Sequence, residues 1–592
     1  MIALVLMQNT GKLLQHNVLV RKPIGIETAG SLNVLFSDKT GTITKGKLEV
    51  VEFFTGDGKF IDLPDIKKSL AISEGLNLAI GKNTTAMFDA NHKVVGGNAT
   101  DQALMNFLGE DMYNSLQKNS GYTVTETQSF NSANKFSQSY IKNVGKTFYK
   151  GAPERLLAKA KKYLNSDGEE VNLDINVVNA AIDSLAKKAM RVLAFGYSKS
   201  GLVENTINDD VVIIGFVGIR DDVRPEAIEA IKDVQGAGIQ VVMITGDRKE
   251  TAVAIAHDAG LLKNDTDVAL TSDELNAMSD DEVKRIIPNI RVIARALPTD
   301  KSRMVRLCQE MNLVTGMTGD GVNDSPALKR ADVGFAMGSG TAVAKEAGDI
   351  VIVDDNFKSI RDAILYGRTI YHNILKFCKF QLSINVGAVL VSAILPFLGV
   401  EEPLTVIHLL FVNLCMDSLG SLMLGNEPAL DKYMHEPPRR RDESIVSKPM
   451  FVQFVVMGIY MLVIGLIWFK WRFIGSFFLI PDTYEGMVVN QDMLKTGFFA
   501  AFMFAAILNG WNVRSEGFDI FSRIKDNMNF LKVMCAMLVA TIFLCVIGGP
   551  IGEIFSCTRF GIEGWIPVLI AGVLIIPFDM LRKVIFGTYK QK

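Results

Sequence analysis

The sequence predicts a doubly wound α/β domain that is interrupted by an α+β insertion and followed by a bundle of six membrane helices. Short apolar runs alternate with helical patterns on both sides of the insertion, which is typical of a parallel sheet covered on both faces. Residues 50–210 instead carry short alternating runs with many Lys, Asn and Ser. After residue 355 come six long apolar segments, each near the ~20 residues that cross a bilayer.

The composition excludes several classes of protein. A chain of 592 residues is too long for one domain. Hydrophobic residues make up 48% of it and charged residues 21%, which indicates a mixture of soluble and membrane parts. The net charge of -2 favours no nucleic-acid partner. The six cysteines include no CxxC pair, so their spacing predicts neither a disulfide framework nor a zinc site.

The stretch NVLFSDKTGTIT, Asn33 to Thr44, contains the first candidate reactive residue. Its apolar residues Val34 to Phe36 predict a buried strand that ends at Asp38. Open α/β sheets bind ligands at the carboxyl ends of their strands, and a carboxylate can attack a phosphoryl group to form an acyl phosphate. An Asp that merely caps a turn before Gly is the alternative.

Two later strands and one helix present further polar groups of the kind that phosphoryl transfer needs. Thr245 to Asp247 read TGD and close one predicted strand, Thr318 to Asp324 read TGDGVND and follow another, and Lys301 opens a helix. Phosphoryl transfer depends on a metal ion, a cation and polar donors placed around the moving group. These segments supply carboxylates that can bind a metal ion, a lysine cation and polar donors. A Gly-Asp-Gly turn alone would be ordinary loop sequence.

Together these motifs resemble those of the P-type ATPases, cation pumps that work through an aspartyl-phosphate. Three segments of the insertion also resemble that family, namely GGNATDQAL, SFNSANKFS and FYKGAPERLL. The resemblance implies a haloacid-dehalogenase-like phosphorylation domain of residues 33–49 and 211–355. It implies a nucleotide-binding domain of residues 50–210 and a membrane domain of residues 356–592. Residues 1–32 would be the end of a membrane helix and a stalk.

The resemblance also assigns roles in the phosphorylation domain. Asp38 would accept the phosphoryl group from ATP, and Thr245 and Lys301 would bind its oxygens. Asp38, Asp320 and the Thr40 carbonyl would hold Mg2+, a hard cation that prefers oxygen ligands. The remaining predicted site residues are Gly246, Asp247, Asn323 and Asp324. Asn323 and Asp324 would orient the other groups of the site.

In the insertion the resemblance implies an adenine-binding pocket. Asp101 would lie near the base, Phe130 would stack on it, and Lys150 would line the pocket, with Lys135 and Arg191 as further contacts. An aromatic face next to a cation suits ATP, although a lone Phe is more often a core residue. The family often carries Arg soon after the aromatic residue, whereas here Asn131 to Asn134 precede Lys135, so one phosphate contact is left open.

Six membrane spans follow. They are predicted at about Phe377 to Leu398, Leu404 to Leu424, Phe451 to Phe473, Thr496 to Trp511, Phe530 to Ile547 and Trp565 to Phe578. Lys and Arg concentrate at 439–448, 514–532 and 582–592. Positive charge marks the cytoplasmic side, so three hairpins are expected, with the catalytic domains also cytoplasmic.

Polar residues inside these spans predict a cation site. Asn385 lies in the first span, and Asn413 and Asp417 lie four residues apart in the second, which places them on one helical face. The pattern resembles plasma-membrane-type calcium pumps, in which these three residues bind a single Ca2+. Ala388 and Met416 stand where two-site pumps carry Glu and Thr. Polar groups that pack helices together are the alternative, mainly for the asparagines.

The resulting expectation is a plasma-membrane Ca2+ pump that uses ATP and Mg2+ in a lipid bilayer. The alternatives are a pump for H+, Na+ or K+, or a truncated nucleotide-binding fragment that transports nothing. Heavy-metal pumps are disfavoured because they have two helices after this core. Complete pumps also carry four helices and an actuator domain before the DKTGT motif, so we expect the chain to be truncated at its amino terminus. The sequence leaves the oligomeric state open.

Overall fold

The computed structural model describes residues 2–117, 122–131, 133–439, 443–482, 486–515 and 517–586. Within them lie two eight-stranded sheets and a group of long helices. An amino-terminal helix, Ile2–Gln15, precedes the first strand.

The first sheet is the predicted doubly wound one. Its strands, in spatial order, are Val18–Val20, Ile350–Ile352, Val333–Met337, Thr315–Gly319, Val34–Asp38, Gln240–Ile244, Ile290–Ala294 and Val268–Thr271. All neighbours are parallel except the first pair. The helices between the strands are Pro23–Gly30, Pro225–Gly236, Lys249–Asp258, Ser272–Asn276, Asp280–Ile286, Pro298–Glu310, Ser325–Arg330 and Ala342–Ala347.

Both faces of the first sheet are covered. In the strand Gln240–Ile244, Val241 and Met243 pack into the core formed with the helices Pro225–Gly236 and Lys249–Asp258. Val242 and Ile244 point the other way, into the core formed with the helix Pro298–Glu310. Successive residues of a strand face opposite sides, so a fully apolar strand needs helices on both. The predicted fold class is confirmed.

The second sheet is largely antiparallel and forms most of the insertion. Its strands, in order, are Glu170–Asn172, Ala160–Leu164, Val211–Val223, Arg191–Ser198, Lys146–Gly151, Phe136–Ile141 and Val124–Asn131, with Thr44–Phe54 also paired to Val211–Val223. Its helices are Leu63–Lys68, Leu70–Gly81, Ala99–Leu108, Glu110–Gln117, Pro153–Leu157 and Ile175–Lys187. A two-stranded ribbon pairs Met87–Phe88 with Val94–Val95.

One strand lies in a different sheet from the one that its sequence pattern predicts. The run VVIIGFVGI reads as a strand of the parallel sheet, yet Val211–Val223 pairs antiparallel with Thr44–Phe54 and Arg191–Ser198 in the second sheet. The strand is buried on both faces, with Val212 in one core and Ile213 in the other. A continuous apolar run does not distinguish these two cases. The predicted domain limits stay a prediction.

The six predicted membrane helices are present. They are Phe357–Ile394, Val406–Leu424, Lys448–Lys470, Gln491–Arg514, Met528–Ile547 and Trp565–Ile585, and each is long and apolar enough to cross a membrane. The first has 38 residues because its amino-terminal part, including Phe357 and Ile360, packs into a core of the first sheet. We call the end of the bundle next to that sheet the near end, and the other the remote end.

Candidate functional site

The carboxyl ends of the central strands of the first sheet surround a cavity of about 320 Å3. Asp38 lies opposite Ile244 of the neighbouring strand, and Thr315–Gly319 flanks it on the other side. Nearly all the predicted residues of the phosphorylation domain line this cavity, namely Asp38, Thr40, Thr245, Gly246, Lys301, Asp320, Asn323 and Asp324.

Lys301 joins two carboxylates at the centre of this cavity. It lies in the first turn of the helix Pro298–Glu310, and its Nζ lies 2.5 Å from Asp38 Oδ1 and 2.7 Å from Asp324 Oδ1. Burial lowers the pKa of the Lys301 ammonium, but the attraction of Asp38 and Asp324 outweighs burial and raises it above its usual value. Lys301 therefore stays positively charged at neutral pH.

Asp38 has a pKa that suits a nucleophile near neutral pH. Burial raises the pKa of this carboxyl to about 6, and the nearby Asp324 and Asp320 add to the rise, while Lys301 opposes it. The Asp38 backbone N–H donates to Thr318 Oγ1 at 2.8 Å, which fixes the strand end. Asp38 is ionised at pH 7 but remains more basic than an ordinary aspartate.

The two remaining carboxylates of the cavity have different surroundings. Asp324 is held by Lys301 on one oxygen and by the backbone N–H groups of Asp320 and Gly321 on the other, at 3.3 and 3.2 Å. Asp320 is exposed, and no hydrogen bond to its carboxylate occurs within the described part of the chain. Oxygens of Asp38, Asp320 and Asp324 lie within 4.8 Å of one another. Asp38 and Asp320 are thus the pair open to a hard cation.

Two residues near this cavity were missed by the sequence reasoning. Lys39 is buried, and its Nζ lies 2.8 Å from Asp247 Oδ2 and 3.4 Å from Asp221 Oδ2. Asp221 belongs to the second sheet and also accepts from Thr44 Oγ1 at 2.6 Å and from the Gly46 N–H at 2.8 Å. The pair therefore links the turn after Asp38 to the second sheet. Lys39 belongs to the DKTGT motif, and its place next to Asp38 was the feature of the sequence that could have identified it.

The second sheet carries a larger cavity, of about 770 Å3, and all five residues predicted to bind nucleotide line it: Asp101, Phe130, Lys135, Lys150 and Arg191. The Phe130 side chain is 54% exposed, so it is not the core Phe of the alternative interpretation. Its ring is available for stacking.

Lys150 is held in position inside this cavity. Its Nζ lies 2.5 Å from Asp101 Oδ1 and donates to the Asn83 carbonyl at 2.8 Å. Burial lowers the pKa of Lys150, and Asp101 opposes that effect. Lys135 pairs with Glu154 at 3.1 Å, a residue that the sequence reasoning did not single out.

In the part of the chain that the structure describes, no contact joins the predicted cation ligands Asn385, Asn413 and Asp417. Asn385 is half-buried in the first membrane helix, and Asn413 is exposed in the second. Within the described residues, neither side chain has a hydrogen-bond partner. The Asp417 side chain lies outside the described part of the structure. This site stays a prediction.

Comparison with known proteins agrees with this architecture. Family models match residues 401–585 as the C-terminus of cation transporting ATPases, residues 74–226 as the cytoplasmic domain N of P-type ATPases, and residues 304–364 as a haloacid dehalogenase-like hydrolase. With six helices that are able to cross a membrane, the chain is a multi-pass integral membrane protein.

Curated relatives match along nearly the whole chain. The protein named probable calcium-transporting ATPase 6, plasma membrane-type, of Oryza sativa subsp. japonica is 35% identical over 97% of this chain and 57% of its own length. Plasma-membrane-type calcium-transporting ATPases 9 and 12 of Arabidopsis thaliana are 30% and 32% identical, over 99% and 92% of this chain and 56% and 53% of their own lengths. The chain thus spans little more than half the length of these relatives. It belongs to the P-type ATPase family.

Proposed function

We propose that this chain is the catalytic and carboxyl-terminal part of an ATP-driven Ca2+ transporter that is phosphorylated on Asp38. The observation that carries the proposal is the Lys301 ammonium, which lies between Asp38 and Asp324 at the strand ends of the first sheet. An ionised carboxylate next to a fixed cation, in a cavity with polar donors, is an arrangement suited to phosphoryl transfer.

In the proposed step, an Asp38 carboxylate oxygen forms a bond to the γ-phosphorus of ATP. The bond between that phosphorus and the β,γ-bridging oxygen breaks, and ADP leaves with its electron pair. Lys301 lies where it would neutralise charge on the transferred oxygens, and Thr245 lines the same cavity. Asp324 holds Lys301 in place. Such prearranged charges act without reorganisation during the reaction.

The donor set fits Mg2+. Asp38 and Asp320 present carboxylate oxygens, and Thr40 lines the same cavity, so these residues would hold the ion with waters completing its shell. When bound, Mg2+ would neutralise phosphate charge. Asp324 is a poorer ligand because Lys301 and two backbone N–H groups already occupy its oxygens.

ATP is proposed to bind in the cavity of the second sheet. Phe130 would stack on adenine, while Lys150 and Arg191 provide positive charge for the phosphates. The predicted division into a phosphorylation domain, a nucleotide-binding domain and a membrane domain is part of this proposal.

Ca2+ is proposed as the transported ion, held by Asn385, Asn413 and Asp417. The three relatives support it, because each is named as a calcium-transporting ATPase or a probable one. Asn and Asp oxygens are suitable ligands for a hard cation. Pumps for H+, Na+ or K+ share the catalytic motifs, so the choice of ion needs a direct test.

The first test is transfer of label from γ-labelled ATP to the chain in membranes. We expect an acid-stable, hydroxylamine-sensitive phosphoenzyme, as an acyl phosphate should give. Asp38→Asn should abolish it, while Asp265→Asn, an exposed position in the same part of the chain, should not. Label that persists in Asp38→Asn would contradict the proposal, and so would an unlabelled chain that still binds ATP.

The second test concerns the ion. At constant pH, we expect Ca2+, but not Na+ or K+, to stimulate phosphorylation of the chain, and Asp417→Asn to remove the stimulation. Asp519→Asn, at an exposed loop position, is the matched control. Phosphorylation that is equal with and without Ca2+ would overturn the calcium assignment while leaving Asp38 as the acceptor.

A further inference from the structure

Three polar side chains lie along one face of the first membrane helix, and only the middle one has a proposed role. They are Gln381, Asn385 and Ser392, spaced four and then seven residues apart. At 3.6 residues per turn they lie within about 40° of one another around the helix axis, and they span about 17 Å along it. We call these three residues the polar stripe.

The polar stripe contains buried oxygen atoms that have no hydrogen-bond partner. Gln381 Oε1 and Ser392 Oγ are both buried, and neither is paired within the residues that the structure describes. Asn385 is half-buried between them. Burying an amide or a hydroxyl oxygen without a partner is unfavourable, so such atoms are typical of places that bind a water molecule or an ion.

Other hydroxyl groups of the same helix are paired within the helix itself. Thr369 Oγ1 donates to the Leu365 carbonyl at 2.8 Å, and Ser383 Oγ donates to the Lys379 carbonyl at 2.6 Å. Ser and Thr in helices commonly make this bond to the carbonyl four residues earlier. Ser392 does not make it, so its oxygen is available to another ligand.

The far side of the first helix packs tightly against the third membrane helix, Lys448–Lys470. A Cβ atom added at Gly387 would lie 2.9 Å from Met461 Cγ, and one added at Gly458 would lie 2.5 Å from Val386 Cγ1. Backbones that approach this closely fix the rotation of the first helix about its axis. The polar stripe is thereby held away from the third helix.

The polar stripe lies at the level of the predicted cation ligands in the second membrane helix. A Cβ atom added at Gly420 would lie 2.8 Å from Phe380 Cε1, and this contact gives the register of the two helices. Successive membrane helices run in opposite directions. Asn385, five residues beyond Phe380, therefore corresponds to about residue 415 of the second helix, which lies between Asn413 and Asp417.

We propose that Gln381 and Ser392 are further oxygen ligands on the path of the transported cation, one on each side of Asn385. Gln381 lies about 6 Å from Asn385 along the helix, toward the near end, and Ser392 lies about 10 Å from it, toward the remote end. Gln381 completes the cation site from the near end. Ser392 binds the ion as it moves toward the remote end. This role rests on the proposed cation transport, although not on the choice of Ca2+.

The chemistry of Ca2+ supports the need for further ligands. Ca2+ takes about six to eight oxygen ligands, among them amide carbonyls, and this is more than the side chains of Asn385, Asn413 and Asp417 supply. The Gln381 amide and the Ser392 hydroxyl add oxygens without adding charge. Polar residues within a membrane are costly to bury and mark ion pathways.

The first test measures whether cations reach the polar stripe in the full chain in membranes. The six native cysteines are replaced by alanine, and one cysteine is added as Gln381→Cys, Ser392→Cys or the control Ser383→Cys. We expect a cationic methanethiosulfonate reagent to modify the two stripe positions about tenfold faster than an anionic reagent of similar size, because uncharged oxygens favour cations. Ca2+ should slow both reactions. Ser383, 1% exposed on another face, should stay unmodified in the control.

The second test uses substitutions that keep the size of the side chain, in case a cysteine disturbs the bundle. Gln381→Leu should raise the Ca2+ concentration for half-maximal phosphorylation about tenfold because one ligand is lost, whereas Gln381→Glu, which keeps an oxygen, should not. Gln453→Leu is the matched control, since Gln453 is a buried amide of the third membrane helix. Equal shifts in Gln381→Leu and Gln453→Leu would reduce Gln381 to a packing residue and overturn the proposal.

The outcomes separate this proposal from the proposed function. Stripe cysteines that react no faster than the cysteine at position 383 would overturn the proposal, and so would equal reaction with cationic and anionic reagents. Protection of the stripe by Na+ or K+ instead of Ca2+ would keep the role of Gln381 and Ser392 and remove the calcium assignment. A protected stripe in a chain that ATP does not phosphorylate would contradict only the role of Asp38.

Discussion

The cavity at the strand ends of the first sheet and the membrane bundle both bury charged side chains, but they do so in different ways. In the cavity, the charges come from short contiguous motifs at neighbouring strand ends, so Asp38, Lys301 and Asp324 meet as soon as the sheet forms. In the bundle, the buried carboxylate of Glu427 has partners from distant helices. Sequence motifs therefore identify sites whose residues are contiguous at strand ends, and they miss sites whose residues come from distant helices.

Glu427 and its partners form what we call the Glu427 cluster, at the near end of the bundle. Glu427 follows the helix that bears Asn413, and its carboxylate accepts from Arg514 Nε at 2.8 Å and Asn527 Nδ2 at 2.7 Å. Lys376 Nζ lies 3.5 Å from its other oxygen. One carboxylate thus joins the second membrane helix to the first, fourth and fifth.

The largest expected effect tests this cluster. Glu427→Gln should destabilise the membrane half by about 3–5 kcal/mol, because the change leaves the buried Arg514 guanidinium without its counter-charge. The measurement is the unfolding of the detergent-solubilised chain, followed through its four tryptophans, all of which lie in this half.

Glu401→Gln provides the control for this prediction. Glu401 is an exposed carboxylate in the loop between the first two membrane helices, so its neutralisation should change the stability little. If both variants unfold like the parent chain, the Glu427 cluster contributes no stability, and the contrast between bundle and cavity weakens.

The sequence predicted the cavity better than the bundle for a physical reason. The residues of TGDGVND are placed by one turn after one strand, so their order fixes their position, and the cavity contains them as expected. Lys39 and Asp221 were missed because their contact depends on how the two sheets meet. The strand Val211–Val223 was assigned to the wrong sheet because an apolar run does not reveal its neighbours.

The bundle offered less information to sequence reasoning. Apolar length defines each membrane helix, so all six were predicted. It does not define how the helices rotate about their axes, and that rotation decides which polar residues meet. The Glu427 cluster and the unpaired oxygens of the polar stripe therefore became visible only in three dimensions.

Lys301→Met tests the cavity side of the comparison. We expect the rate of phosphoenzyme formation to fall about 10²–10³-fold, because a prearranged cation is lost from the site where charge develops. Rapid-quench labelling with ATP measures the rate. Lys329→Met, an exposed position in the same part of the chain, should keep the parent rate, and an unchanged rate in Lys301→Met would remove Lys301 from the proposed step.

Phe130→Ala tests the second cavity and should have a smaller effect. Loss of the stacking face should weaken ATP binding by about 1–3 kcal/mol, measured by calorimetry on the chain in detergent. Phe60, similarly exposed at 44% and absent from the cavity lining, supplies the control variant Phe60→Ala. Equal affinities in the two variants would show that the ring of Phe130 does not contact the nucleotide.

The smallest expected effect is a pH dependence that only the cavity should show. In the proposed step the carboxylate form of Asp38 is the nucleophile, and burial raises the pKa of this carboxyl to about 6. About nine-tenths of it is ionised at pH 7 and about one-tenth at pH 5, so the phosphorylation rate should fall about tenfold between these values. The rate is measured by labelling at saturating ATP, with ATP binding followed in parallel. A rate that holds constant down to pH 4.5 would mean that Asp38 ionises like an exposed aspartate, and the electrostatic contrast between the buried cavity and the solvent would then be absent.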